Sequence, residues 1–117
     1  MQDFKHLEIW RRAHALAIGI HQLTDGFARA RHATLQSQLT RAADSISANI
    51  VEGCGAMRHK EFARFLTIAI KSANETEHHL IVSRDLRLIS PEEWGRCTAE
   101  VIEIRKMTFG YRKKLLG

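Results

Sequence analysis

The sequence predicts an all-α protein, an antiparallel up-down four-helix bundle built by residues 1–117 as one domain. Two observations carry that prediction. Apolar residues recur three and four apart in four successive stretches, the period of a helix with one buried face. The chain also holds a single proline, Pro91, and its glycines fall in few places, so helices can run long. A chain of this size buries roughly two thirds of the surface that it exposes when unfolded, enough to need no disulfide or metal.

The first helix is predicted from about Leu7 to Thr24. Ile9, Ala13, Leu16, Ile20 and Leu23 form its inner row, with Trp10 and Ala17 widening it. Gly19 weakens this helix without breaking it. Asp25-Gly26 closes it, and a basic loop runs on to His32. The second helix spans about Thr34 to Gly53, with Leu35, Leu39, Ala42, Ala43, Ile46 and Ile50 inward and Gly53 as a left-handed stop. Its small residues, among them Ser45, Ser47 and Ala48, invite close approach of a neighbour. Asn49 reads as a structural polar group that finds a backbone partner.

The third helix is predicted from Arg58 to about Leu86, roughly 40 Å at 1.5 Å per residue. Phe62, Leu66, Ala69, Ala73, Thr76 and Leu80 mark its core row, and the stretch from Lys71 to His79 is polar. Ser90-Pro91-Glu92-Glu93 announces the fourth helix, with a capping serine, a proline in the first turn and acids at the positive end of the dipole. Trp94, Cys97, Val101, Ile104, Thr108, Tyr111 and Leu115 form its seam. A second row, Ile102, Phe109 and Leu116, either meets another subunit or widens the core stripe.

Composition narrows the function classes. The chain is 44% hydrophobic and 26% charged, ordinary globular values. No apolar run approaches the ~20 residues of a membrane span. The first residues lack the basic region and apolar stretch of a secretory signal, so the expected compartment is the cytoplasm. Cys54 and Cys97 read as plain thiols. Seven histidines suggest a metal, but no pair stands four apart as a helical zinc site requires. Glu75-Thr76-Glu77-His78 contains the Glu-x-x-His spacing of di-iron bundles, yet the second copy that such a site needs is absent. Serines lie inside helices rather than at a nucleophile elbow, and Gly53-Cys54-Gly55 lacks the lysine of a phosphate loop. The expectation is therefore no enzyme, no cofactor, no metal and no small-molecule substrate.

A formal net charge of +5 points toward an anionic partner. Lys60, Arg64 and Lys71 share one side of the third helix, and Arg58 and His59 add to its start. After Glu103 come Arg105, Lys106, Arg112, Lys113 and Lys114 without an acid among them. Solvation and the helix dipole explain such charges equally well. Nucleic-acid binding, mainly to phosphates, requires the two clusters to merge into one surface.

Three segments, Leu7-Glu8-Ile9-Trp10, Ser45-Ile46-Ser47-Ala48-Asn49-Ile50-Val51-Glu52-Gly53 and Glu61-Phe62-Ala63-Arg64-Phe65-Leu66, resemble the bacterial four-helix bundle proteins first known from intervening sequences in large-subunit ribosomal RNA genes. Ser72, Glu75, Glu77 and Leu80 continue the likeness. The resemblance implies an antiparallel bundle assembling into a homopentamer with no established enzyme activity. Relatives include the basic pentameric accessory proteins of diversity-generating retroelements, which associate with nucleic acid and a reverse transcriptase. Ser47 stands where the family usually has proline, and Lys71 where it usually has glycine. Arg41, Arg64, Glu75 and Glu77 match the family's charged positions and could serve ion pairs as easily as a binding site.

The candidates are thus Arg41, Arg58, Lys60, Arg64, Lys71, Lys113 and Lys114 for RNA or DNA, and Ile102, Phe109 and Leu116 for an oligomer interface. Asn49, Glu75 and Glu77 are expected to be structural polar groups. The alternative to a nucleic-acid binder is a protein-interaction scaffold with a genetically linked partner.

Overall fold

The computed structural model describes residues 1–117 as four helices: α1 (Glu8–Leu23), α2 (Ala33–Cys54), α3 (His59–Asp85) and α4 (Pro91–Leu116). Each packs against the next, and α1 closes against α4, while the two diagonal pairs stay apart. This is the up-down ring of a four-helix bundle, 45 Å long and 20 Å across. One end holds the start of α1, the α2–α3 turn and the end of α4. The other holds the α1–α2 and α3–α4 turns.

The predicted rows of α2 and α3 are buried throughout, but Trp10 and Leu23 of α1 and Trp94, Cys97, Tyr111 and Leu115 of the α4 seam are only half-buried. Ile9, Ala13, Leu16, Ala17 and Ile20 of α1 face the six α2 residues named from periodicity, and Leu66, Leu80, Val101 and Ile104 complete the buried core along the bundle. A short 3-10 turn at Phe4–His6, capped by Asp3, precedes α1. The basic stretch after α1 is not a bare loop, because Phe27 is buried in the core and its carbonyl accepts the His32 N–H at 2.8 Å. Arg31 reverses the chain there in the left-handed region, at φ 68°.

Gly53 departs from its expected role. No glycine has a positive φ, and α2 continues through Cys54. Gly53 is instead buried where α3 begins, and a Cβ there would stand 2.6 Å from Cδ1 of Phe62. The glycine answers a tertiary demand, the close approach of a ring, and not a turn.

Small side chains do draw α2 and α3 together, and their hydroxyls are satisfied. Ser72 Oγ donates to Ser45 Oγ at 2.8 Å, and Thr76 Oγ1 donates to the Ser72 carbonyl at 2.8 Å. Asn49 Nδ2 donates to the Ser45 carbonyl at 2.8 Å and to its Oγ at 3.0 Å. Helix α4 opens on a full capping box, with Ser90 Oγ accepting from Glu93 N–H at 3.0 Å and Glu93 Oε1 accepting from Ser90 N–H at 2.8 Å.

The α1–α4 closure relies on a charged clasp. Arg12 donates Nε to Glu100 Oε2 at 3.0 Å and a second N–H to the other oxygen, a bidentate pair about one-third exposed. Its hydrogen bonds to Glu100 raise the guanidinium pKa above its ordinary value despite partial burial. Solvent screening limits such a pair to about 1 kcal/mol.

Candidate nucleic-acid interface

Helix α3 presents Lys60, Arg64 and Lys71 to solvent, and Arg58 stands exposed at its N-cap in extended backbone. Their spacing by four and seven residues places the three helical cations on one side of the helix. None forms an ion pair, and neither do Arg41, Lys113 or Lys114; the chain's salt bridges use other groups. Arg64 lies with its guanidinium carbon 5.3 Å from the Phe65 ring centroid, a stacked position that leaves its N–H groups free.

The two basic clusters meet through one hydrogen bond. Arg112 donates Nε to Thr67 Oγ1 at 2.8 Å. Thr67 is three residues after Arg64 and four before Lys71, so it is a surface neighbour of both on α3. Its hydroxyl anchors Arg112 without neutralising it. Arg112 therefore extends the row of α3 cations across the α3–α4 seam, whereas Lys113 lies beside Phe109 and Leu116 on the outer row of α4 and Lys114 turns toward α1, beside Leu7 and Glu8. Sequence reasoning does not single out Thr67, and it shows Arg112 only as part of a basic run. The two lie 45 positions apart, and nothing local marks them as partners.

Not every cation on that edge is available. Arg105 donates to Glu77 Oε1 at 2.6 Å and to Asn74 Oδ1 at 2.9 Å, with Arg105 and Glu77 each about a quarter exposed. Glu77 is thus engaged in an ion pair between α3 and α4. Glu75 differs, being exposed with no hydrogen bond or ion pair within the chain. Arg41 also stands apart. It lies on α2, one turn before the Ser45 that meets Ser72, on the side of α3 away from the α4 seam.

The outer row of α4 is left wet. Phe109 is 56% exposed and Leu116 is 50%, while Ile102 is half-buried. Phe109 and Leu116 line a shallow depression together with Arg112 and Lys113, so apolar and cationic groups alternate on one surface.

The rest of the chain offers little chemistry. No three histidine, cysteine or acidic side chains converge where they could hold a metal ion. Cys54 and Cys97 are free thiols, and burial raises both above the ordinary thiol pKa, which keeps them protonated and poor nucleophiles. No helix is long and apolar enough to cross a membrane.

Comparison with known proteins places this architecture in context. Residues 5–110 match the family described as 23S rRNA-intervening sequence protein. A crystal structure of a protein of unknown function from the S23 ribosomal protein family of Bacteroides thetaiotaomicron superposes with a TM-score of 0.82 at 26% identity. It covers 90% of this chain and 98% of its own. No curated protein matches significantly.

Proposed function

The chain belongs to the 23S rRNA-intervening sequence protein family, and from that premise we propose that it is a non-enzymatic, oligomeric four-helix scaffold that binds RNA or DNA through the α3–α4 strip. The observation that carries the reading is the Arg112–Thr67 bond. It adds Arg112 to Arg58, Lys60, Arg64 and Lys71 along one edge with no carboxylate paired to any of them, while Lys113 and Lys114 lie at the same end of the bundle on other faces of α4.

A cationic strip without a recognition helix in a groove contacts phosphates, and such contacts position a strand without reading its sequence. Binding then releases counterions, so affinity falls steeply with salt. Titration of a structured RNA and a generic DNA duplex across a salt series tests this. The expected result is binding at low salt that weakens at least about a hundredfold between 50 and 200 mM. Absence of binding at low salt contradicts it.

The exposed Phe109 and Leu116 favour a second reading, a scaffold whose principal partner is a protein. A stoichiometric protein that co-purifies and survives nuclease treatment would support that alternative. In the first reading the same residues belong to the interface between copies of this chain, the homopentamer that the resemblance implies. Sedimentation of the purified protein checks the oligomeric state.

A further inference from the structure

Where α3 begins and α4 ends, the bundle carries a cleft. One opening, of about 160 Å³, lies between Arg58 and Phe62 on one side and Tyr111 on the other. A second, of about 250 Å³, reaches Lys114, and His59, Tyr111 and Leu115 line both. No carboxylate lines either opening. The N-terminal segment walls one side, pinned by the Gln2 N–H to the Cys54 carbonyl at 2.9 Å. Tyr111 is half-buried and tilted against Phe62 with ring centroids 5.5 Å apart, so packing fixes the orientation of its ring.

An aromatic ring set among cations suits a nucleotide, whose base stacks on the ring while its phosphate takes charge-assisted hydrogen bonds. A nucleotide within a strand has backbone leaving in two directions, and a cleft walled on one side accommodates only one. Resting on the reading of the α3–α4 strip as a nucleic-acid surface, we propose that this cleft receives the phosphorylated terminal nucleotide of a strand, its base on Tyr111 and its phosphate between Arg58 and Lys114. The strip carries the body of the strand, and the cleft holds its end.

The test compares short single-stranded oligonucleotides of one sequence carrying a 5′-phosphate, a 3′-phosphate or hydroxyls at both ends, at one fixed salt concentration. One of the phosphorylated ends should bind about tenfold tighter than the hydroxyl form, the worth of a charge-assisted hydrogen bond. Arg58→Ala/Lys114→Ala, at two exposed positions that the fold does not need, should bring that ratio to one. Arg64→Ala and Lys71→Ala should weaken all strands alike and keep the ratio. Equal binding of the three strands by the unaltered protein overturns the cleft and leaves the strip standing, as does a preference that survives loss of Arg58 and Lys114. Failure of every strand to bind at low salt overturns both.

Discussion

The α2–α3 seam and helix α4 treat the same kind of side chain in opposite ways. Between α2 and α3, Ser45, Ser72, Thr76 and Asn49 are linked by hydrogen bonds within a close contact of small residues. On α4, Thr98 Oγ1, Thr108 Oγ1 and the Trp94 indole N–H are buried without any partner. A buried hydroxyl left unpaired costs about as much as a made bond contributes, or more. The long side chains of α4 instead reach outward to α1 or α3 or remain in solvent. The α2–α3 seam satisfies its polar groups internally, whereas α4 buries three that find no partner.

The largest expected effect comes from breaking the close contact itself. Gly53→Val forces branched carbons into the space of the Phe62 ring and should destabilise by about 2 kcal/mol in chemical denaturation, even though valine is the better helix former. The hydroxyls then sharpen the contrast, because similar deletions should have opposite signs. Ser72→Ala removes a donor and should destabilise by about 1 kcal/mol, whereas Thr108→Val removes an unpaired hydroxyl and should stabilise by about 1 kcal/mol. Equal signs in the two denaturation midpoints would erase the distinction between the seams. Arg105→Gln should cost about 0.5 kcal/mol, since its pair with Glu77 is partly screened by water.

The smallest effect is a pH dependence. Burial, and then the neighbouring His78, hold the His79 imidazole below its ordinary pKa. The unfolded chain therefore takes up this proton more readily than the folded one. The contribution is intact above about pH 6.5, the ordinary histidine value, and is lost as pH falls below it toward the folded value. His79→Gln should flatten that part of the stability profile, as read by thermal unfolding between neutral and mildly acidic pH.

Much of this fold is legible in the sequence because its information is local. The rows Ile9 to Ile20 and Leu35 to Ile50 repeat with the helix, and Ser90-Pro91-Glu92-Glu93 spells its own cap. What the sequence hides is tertiary. Gly53 resembles a helix stop until Phe62 is set beside it, and Phe27 stands between Gly26 and Ala28 in a stretch without an apolar period. The candidate surface divides in the same way. Exposed cations on one helix face follow from spacing. The capture of Arg105 by Glu77, the anchoring of Arg112 by Thr67 and the isolation of Arg41 depend on which helices lie side by side.

The central claim is that the α3–α4 strip carries phosphate contacts, and the slope of log affinity against log salt measures those contacts directly. Arg64→Ala/Lys71→Ala should lower that slope by about 2, one for each phosphate left without its cation. Arg29→Ala/Arg96→Ala, removing two exposed cations at the opposite end of the bundle, should leave it unchanged. Equal slopes for the two double variants would contradict the account.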